Sequence, residues 1–222
     1  MGKRNSKVKL KDINIETKEN TKIEVIGGQV LSRVELINSY DYSKDEYDVV
    51  KIVNQASVKN GYIDLDTVTS INVLKTKKEI VSKRSIYLNR FTKSGDIVVK
   101  LNFPISACLI KEEEEGLLVP SFDAIIRGVN PGICWYLVAY LNSRPLMENI
   151  ISNCSGSNTK VLTLPQLENI LVPLKSDFYI KKLGETYKDN VKQEKLFNKI
   201  TKLEKKKIDS TFNEILLSFK ED

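Results

Sequence analysis

The chain has 222 residues, of which 41% are hydrophobic and 29% are charged, and its formal net charge is +6. This length and balance are typical of one globular domain, alone or with an appendage, that folds in water. The sequence contains no histidine, which excludes the usual Ser-His-Asp and Cys-His hydrolases and removes the commonest side-chain ligand of metal sites.

No segment of the sequence is suited to a membrane or to export. The longest apolar stretch, Ile133–Leu141, is far shorter than the roughly 20 residues of a membrane-spanning helix. The N-terminus is basic, but no apolar core follows it, so we expect no secretory signal. The cysteines, Cys108, Cys134 and Cys154, are widely spaced and lie in or near apolar stretches. We therefore expect a cytoplasmic protein with reduced, structural cysteines and no membrane partner.

Positive charge is concentrated in two parts of the chain. Lys75–Lys93 contains seven basic residues and one acidic residue, and residues 1–22 contain seven basic and three acidic residues. Clustered Lys and Arg favour a polyanionic partner, most often nucleic acid. Basic surfaces are also common in proteins rich in Lys, Asn and Ile, so the charge alone leaves both interpretations open.

The first 174 residues alternate short apolar segments with turn signals, as in a mixed α/β domain. Asn60-Gly61 is a tight-turn signal, and the alternating residues after it predict a hairpin return. Glu112–Glu115 is an acidic turn between two apolar segments. We predict strand segments at Lys7–Ile13, Lys22–Ile26, Val49–Val53, Tyr62–Leu65, Ile97–Leu101, Ala107–Ile110, Leu117–Val119 and Ala124–Arg127.

Helices are predicted later in this part of the chain. Thr163 and Gln166 have capping-box spacing, in which each side chain satisfies a free backbone N–H of the other. The polar loop before this cap, Ser155–Lys160, is therefore attached to a rigid element, as many recognition loops are; the alternative is an ordinary surface connection. We predict a buried helix at Ile133–Asn142, a short helix from Pro145 through Ile151, a capped helix at Leu164–Glu168 and a strand at Ile170–Val172 that ends at Pro173.

From about Phe178 the sequence is typical of a long charged helix. Its apolar residues keep three- and four-residue spacing over some forty residues, and the phase slips before Leu196 and before Ile208. Such a helix would be about 60 Å long, so much of its apolar face needs a partner helix. The alternative is a helix broken near the phase slips and folded back on its own domain. The residues predicted to form a dimerisation face are Ile180, Leu183, Tyr187, Leu196, Ile200, Leu203, Ile208, Phe212 and Ile215.

No motif of the sequence predicts catalysis. Asn102-Phe103-Pro104-Ile105 lacks the second proline and the aromatic residue of an amino-methyltransferase motif, and no glycine-rich cofactor loop precedes it. Glu16-Thr17-Lys18 is the nearest match to a metal-nuclease motif, but no partner carboxylate precedes it. We therefore predict a binding protein that is not an enzyme and has no metal or cofactor of its own.

An ordered set of motifs resembles a known family. In chain order the segments are KVKLKDI, GGQVLSR, YDVVKIVNQASVKNGYIDLD, LNRFTKSGDIVVKL, SFDAIIRG, WYLVAYLNS and SGSNTKVLTLPQLENILVPL. Their order and spacing resemble the target-recognition domain of the specificity subunit of type I restriction-modification enzymes. A long helix also follows each such domain in that family, so the resemblance covers nearly the whole chain. The sequence departs from the family after Leu174, where a second proline and a Glu-Gln pair are missing.

The resemblance implies an α+β fold: one target-recognition domain with a twisted β-sheet core, residues 1–175, followed by a long helical arm, residues 176–222. A full family subunit has two domains and two helices, so this chain resembles a half-subunit. Implied partners are double-stranded DNA, methyltransferase subunits, restriction subunits in some complexes, and a second copy of the chain through antiparallel helices. A symmetric pair would read an inverted repeat.

Candidate DNA-binding residues come from three places. The polar loop lies, by the resemblance, near the DNA-facing cleft, and its hydroxyl, amide and ammonium groups suit phosphates or base edges. The basic segment before Ser94 supplies a second group, and the GGQVLSR loop a third. The candidates are Ser155, Ser157, Asn158, Thr159 and Lys160; Lys83, Arg84, Arg90 and Lys93; and Gln29 and Arg33. Two alternatives stay open: an assembly protein that docks a partner through its helix, and a mimic that caps methyltransferase subunits and reads no DNA.

Overall fold

The structure is a computed structural model that describes residues 6–13, 22–34, 47–74, 86–153 and 161–218. Within these ranges the strands are β1 Ser6–Lys9, β2 Glu24–Gly27, β3 Tyr47–Ile52, β4 Thr69–Leu74, β5 Ile97–Lys100, β6 Ser106–Leu109, β7 Asp123–Arg127 and β8 Leu171–Leu174. The α-helices are α1 Cys134–Leu141, α2 Arg144–Asn153, α3 Leu164–Glu168 and α4 Asp177–Ser218.

An antiparallel sheet with the strand order β2-β7-β5-β6 forms the centre of the domain. The middle strands β5 and β7 pair Ile97 with Ile126 and Val99 with Ala124, and all four side chains are fully buried. β-branched residues fit a pleated, buried surface well, which explains why this short run forms a core strand.

The two faces of this sheet are covered differently. Ala124 and Ile126 belong to a cluster that includes residues of α1, α2, β1 and β8. Ile125 points to the other face and packs with Val53 and Val119, which lie in irregular segments. Helices therefore cover one face of the sheet, and loops cover the other.

Two smaller antiparallel sheets complete the described fold. The β1–β8 pair places Val8 opposite Val172, so the beginning of the chain lies beside the strand that leads into α4. The β3–β4 pair places Val50 opposite Ile71.

The short helix α3 has the bounds and the cap that the sequence predicts. The Thr163 backbone N–H donates to Gln166 Oε1 at 2.9 Å, and the Gln166 N–H donates to Thr163 Oγ1 at 3.4 Å. This reciprocal arrangement satisfies two backbone donors that a helix start leaves free, so a five-residue helix has a defined beginning.

The helix α4 is one continuous element of 42 residues, about 63 Å long at 1.5 Å per residue. Its first turns pack on α1: Ile180 is buried, and the Tyr187 hydroxyl accepts a hydrogen bond from Asn142 Nδ2 at 2.9 Å. A Cβ on Gly184 would lie 3.1 Å from the Tyr136 backbone nitrogen, so this glycine permits the close approach of the two helices.

The structure confirms the predicted α+β fold with a β-sheet core and a long C-terminal helix, and it corrects several details. The strand predicted at Lys7–Ile13 ends at Lys9, and Leu10–Asp12 forms a 3-10 helix. Asn60-Gly61 forms the predicted turn, but Tyr62–Leu65 forms no strand, because its pairing is limited to one bridge between Val58 and Ile63. Leu117–Val119 likewise makes single bridges through Leu118. Strand β4 was not predicted. The bridges of Leu118 and the pairing of β4 with β3 join segments that are not adjacent in the sequence.

The described part of the chain was also searched for membrane spans and metal sites. None of its helices is long and apolar enough to cross a bilayer. No group of three His, Cys, Asp or Glu side chains in it could hold a metal ion. The predicted division at residues 175 and 176 falls between β8 and α4 and stays a prediction.

Candidate nucleic-acid interface

Three loops meet on the loop-covered side of the central sheet, and we call them the three-loop surface: residues 29–33, 86–93 and 118–122. The Gln29 N–H donates to the Val119 carbonyl at 2.8 Å, and the Ser121 N–H donates to the Gln29 carbonyl at 2.9 Å. The Val119 N–H donates to the Arg90 carbonyl at 3.0 Å. Backbone hydrogen bonds therefore fix the loops to one another, although they are far apart in sequence.

A glycine allows two of these loops to touch. A Cβ on Gly28 would lie 1.9 Å from the Pro120 carbonyl oxygen, which is far inside contact distance. The 29–33 loop can therefore approach the 118–122 loop only with glycine at this position.

Arg127, at the end of β7, donates hydrogen bonds to the backbone of the 86–93 loop. The Arg127 guanidinium donates to both carboxylate oxygens of Asp96, at 2.9 and 2.6 Å, and to the Phe91 carbonyl at 2.8 Å. The Arg127 side chain is 19% exposed and the Asp96 side chain 3%. Because the Asp96 carboxylate accepts these hydrogen bonds, the pKa of Arg127 is raised. A bidentate pair of this kind gives a fixed geometry, so the loop has a rigid base.

Aromatic, apolar and basic side chains project from this base. Leu88 is 84% exposed, Phe122 56% and Tyr87 51%, and the Arg90 guanidinium lies 5.9 Å from the centre of the Tyr87 ring. Arg33 and Lys93 are also exposed. Exposed aromatic rings can stack on bases, and the Arg and Lys side chains beside them can neutralise phosphates.

The candidate residues predicted from the sequence divide into three groups. Arg33, Arg90 and Lys93 lie on the three-loop surface, whereas Gln29 is only 5% exposed and its side-chain oxygen accepts from the Tyr87 N–H at 3.4 Å. In this conformation Gln29 holds the 86–93 loop instead of facing solvent. The remaining candidates lie outside the described residues: Lys83, Arg84, Ser155, Ser157, Asn158, Thr159 and Lys160.

The described residues next to Lys83–Arg84 and next to Ser155–Lys160 in the chain lie close to the three-loop surface. Ile86, the first described residue after Lys83 and Arg84, is next to Tyr87 in the chain. At the other loop, Leu162 donates its N–H to the Leu101 carbonyl at 2.9 Å, and Leu101 donates to the Phe122 carbonyl at 3.0 Å. Leu162, which follows the polar loop in the sequence, is therefore linked through Leu101 to Phe122.

Sequence reasoning missed three residues of this surface and its anchor. Tyr87 and Leu88 lie between Arg84 and Arg90 in the chain, and this mixture of aromatic, apolar and basic residues was the available signal. Phe122 and Arg127 lie in the SFDAIIRG motif, but nothing in the motif indicates their roles, because these depend on contacts with distant segments.

The predicted dimerisation residues also divide. Ile180 is buried and Tyr187 half-buried against their own domain. The other seven are between 46% and 62% exposed: Leu183, Leu196, Ile200, Leu203, Ile208, Phe212 and Ile215. Whether these seven bind a second copy stays a prediction.

The exposed apolar residues form two stripes on the helix surface. Leu196, Ile200 and Leu203 form the first, and Ile208, Phe212 and Ile215 repeat the same spacing. At about 100° per residue, the second stripe is rotated by roughly a third of a turn from the first. The phase slip before Ile208 therefore lies inside one continuous helix and does not break it.

A buried carboxyl group lies at the start of β7. Asp123 is completely buried, and neither of its carboxylate oxygens has a hydrogen-bond donor among the residues that the structure describes. Burial raises the pKa of Asp123 from 3.8 to about 7, although the positive charge of Lys100 lowers it.

We expect Asp123→Asn to stabilise the protein at pH 8. The folded-state pKa exceeds the unfolded value, so the wild-type free energy of unfolding should fall between about pH 4 and pH 7 and then level off. A shift to about 7 corresponds to roughly 4 kcal/mol, and the unpaired Asn amide offsets about 1–3 kcal/mol of it. Urea unfolding from pH 4 to 8 should show a gain of about 1–3 kcal/mol at pH 8. If the free energy of unfolding depended on pH in the same way for the wild type and Asp123→Asn, the expected stabilisation would be contradicted.

The chain was compared with known proteins in three ways. No protein family model matches it, and no curated protein matches it. Solved structures do match it. One belongs to a study of complex assembly and conformational transition of the type I R-M system, with 13% identity and a TM-score of 0.45 over 78% of this chain.

The second match is the HsdS subunit from Thermoanaerobacter tengcongensis, with 12% identity and a TM-score of 0.42 over 78% of this chain. This chain covers 36% and 35% of the lengths of the two matched chains.

Proposed function

We propose that this chain is a DNA-binding specificity subunit of a type I-like restriction-modification system. It recognises a bipartite DNA site and directs methyltransferase subunits, and restriction subunits where they are present, to that site. We base this on the three-loop surface, which carries Arg33, Arg90 and Lys93 together with the exposed rings of Tyr87 and Phe122, and on the Arg127–Asp96 pair beneath it.

The chemistry of this surface suits duplex DNA. Guanidinium and ammonium groups bind phosphates and the acceptor edges of guanine. Exposed Leu88 and Phe122 offer apolar contacts of the kind that thymine methyl groups accept. The family motifs cross this surface, since Gln29 and Arg33 belong to GGQVLSR and Phe122 to SFDAIIRG.

The arm supports the assembly part of the proposal. Two stripes of half-exposed apolar side chains on one long helix are suited to partner helices. We propose that the arm forms an antiparallel dimer that carries two recognition domains, and that it also docks methyltransferase subunits. The chain has no histidine and no cofactor motif, so these partners supply the methylation chemistry in the cytoplasm.

Salt-dependent DNA binding tests this proposal. Fluorescence anisotropy of the full chain with duplex DNA should show an affinity that falls steeply with salt concentration, because bound lysines and arginines release counterions. The triple variant Arg33→Ala, Arg90→Ala, Lys93→Ala should reduce the slope of log K against log salt by about 2–3.

Arg144→Ala is the matched control. Arg144 is 89% exposed and pairs with Glu148 in the next turn of α2, which packs on the other face of the sheet. Its removal should leave the slope unchanged. Weak binding by the wild type with a flat salt profile would contradict the proposal and favour a protein that only docks partners through its arm.

A further inference from the structure

The β1–β8 pair has one face packed on the domain and one face open to solvent. Val172 and Leu174 of β8 are buried, and Val8 of β1 packs against the same hydrophobic cluster. Neighbouring residues of a strand point to opposite faces. Lys7 and Lys9 therefore project from the outer face of the pair, and both are exposed.

A third lysine continues this outer face just beyond β8. In the register of the pair, Lys7 lies opposite Pro173. Lys175 follows two residues after Pro173 and is exposed, so it occupies the position of a diagonal neighbour of Lys7. Same-face neighbours along one strand are about 7 Å apart, and diagonal neighbours are about 7–8 Å apart. We call the surface formed by Lys7, Lys9 and Lys175 the lysine row.

The backbone that carries the lysine row is held by two elements. β8 pairs with β1 in a two-stranded sheet. From α1, the Tyr140 hydroxyl donates to the Leu171 carbonyl at 2.8 Å. The Tyr136 hydroxyl, also of α1, donates to the Pro173 carbonyl. The positions from which the lysine side chains project are therefore fixed by the fold.

The lysine row has no carboxylate partner among the residues that the structure describes, since the ion pairs found there all involve other groups. Asp12 and Asp177 lie close to the row in sequence, but neither forms an ion pair with it. Lys175 Nζ instead lies 5.9 Å from the centre of the Tyr179 ring, which is 61% exposed. Neighbouring ammonium groups without carboxylates form a locally positive surface, which attracts polyanions.

The short helix α3 connects the lysine row to the three-loop surface. Leu164 of α3 packs on Gly27 of β2, and β2 leads directly into the 29–33 loop. On its other side α3 contacts Leu10–Asp12, the turn that follows β1. The two basic surfaces are therefore separated by one helix of five residues.

Duplex DNA suits this surface better than a protein partner does. Lysine is depleted in protein–protein interfaces, whereas ammonium groups bind phosphate oxygens as point charges. The lysine row is about 14 Å long, since it contains two spacings of about 7 Å. Each DNA strand carries one phosphate per about 3.4 Å of rise, so the row can extend along about four phosphates.

We propose that the lysine row is a second DNA contact of this chain, which binds the phosphate backbone independently of the base sequence. The inference rests on the proposed function, because it adds to the contact that the three-loop surface makes. Phosphate contacts position a protein on the duplex but carry no sequence information. The lysine row therefore contributes to affinity, and the choice of site stays with the three-loop surface.

Salt titration of DNA binding tests the inference with the full chain. The triple variant Lys7→Gln, Lys9→Gln, Lys175→Gln removes three charges, so the slope of log K against log salt should fall by about 2–3. Arg at the same three positions keeps the charges and should keep the slope. Selection from a random duplex DNA pool should enrich the same sequence with the wild type and with the Gln variant, because the lysine row reads no bases.

The matched control is Lys188→Gln, Lys192→Gln, Lys205→Gln. It removes three exposed lysines of α4, the last of them in the outer arm, residues 203–218, and should leave the slope unchanged. All these positions are exposed, so Tm should stay that of the wild type in every variant.

A wild-type slope in the Gln variant of the lysine row would overturn this inference alone and leave the row as a contact for an acidic protein. An equal loss of slope in the control would also overturn it, because the effect would then follow net charge. A different enriched sequence would contradict a contact that ignores sequence. If the wild type itself bound DNA weakly with a flat salt profile, the proposed function would fail together with this inference.

Discussion

Arg127→Met should lower the free energy of unfolding by about 3–5 kcal/mol, because it leaves a buried carboxylate without its cation. Asp96 has only 3% of its side chain exposed, so solvent cannot replace the guanidinium. The substitution also removes the donor to the Phe91 carbonyl, so the 86–93 loop loses its base. Thermal unfolding should show a fall in Tm of about 10 °C, and affinity for duplex DNA should fall with it.

The double variant Arg127→Met, Asp96→Asn separates the effect of the unpaired Asp96 carboxylate from the effect of the lost hydrogen bond to the Phe91 carbonyl. Removing the carboxylate charge should recover part of the stability, while the carbonyl contacts stay lost and DNA binding stays weak. In the wild type the Lys93 backbone N–H donates to Asp96 Oδ2 at 2.8 Å. The side-chain oxygen of Asn at position 96 can still accept this hydrogen bond. A loss below about 1 kcal/mol for Arg127→Met would show that the pair does not support the loop.

Replacement of the outer apolar stripe by Ile208→Gln, Phe212→Gln, Ile215→Gln should convert a dimer into a monomer at micromolar concentration. Each of these side chains is about half exposed in the single chain, and burial of such a side chain contributes roughly 1.5–3 kcal/mol. The dimer Kd should therefore rise at least about 100-fold. Gln keeps a good helix propensity, so circular dichroism should show an intact helix.

Light scattering or sedimentation over a range of concentrations measures this change. The matched control is Lys206→Gln, Asn213→Gln, which alters polar positions of the same outer arm. A wild-type monomer at micromolar concentration would contradict self-association and leave the arm as a docking element for another protein. Removal of the whole helix is a poor test, because it would expose the domain surface that covers Ile180 and Val191.

Elements with strong local signals could be predicted closely from the sequence. The capping pair Thr163 and Gln166 determines almost alone where α3 begins, since the cap and the following proline act within the first turn. The β-branched run from Ile97 and the continuously apolar helix from Cys134 were predicted for the same reason, because burial on all sides leaves a continuous apolar pattern.

Features that depend on distant contacts could not be predicted in this way. The long helix was expected to need a partner helix for much of its apolar face, and its contacts with the segment around Gly61, more than a hundred residues earlier, were not predicted. Val191 packs on Gly61, and Lys202 donates to Asp64. Nothing near Lys202 in sequence distinguishes it from the other lysines of the helix. The pairing of β4 with β3 likewise required knowledge of which segments meet.

The residues of the candidate site also divide into those with a local sequence signal and those whose roles depend on distant contacts. Arg90 and Lys93 were found because positive charge clusters locally in the sequence. Gln29 was chosen by its motif, but its side chain is buried and supports a loop, because three loops converge around it. The anchor Arg127 lies in an apolar strand, where a lone arginine gives no indication of its partner Asp96.

Methylome mapping of the cell that carries this gene, with and without the gene, tests the central claim most directly. A specificity subunit of this class directs methylation to its own site, so we expect one bipartite methylated sequence to disappear when the gene is deleted. Restoring the wild-type gene should restore it, and the triple variant at Arg33, Arg90 and Lys93 should restore it only weakly. An unchanged set of methylated sequences after deletion would contradict the assignment of this chain as a DNA-reading subunit.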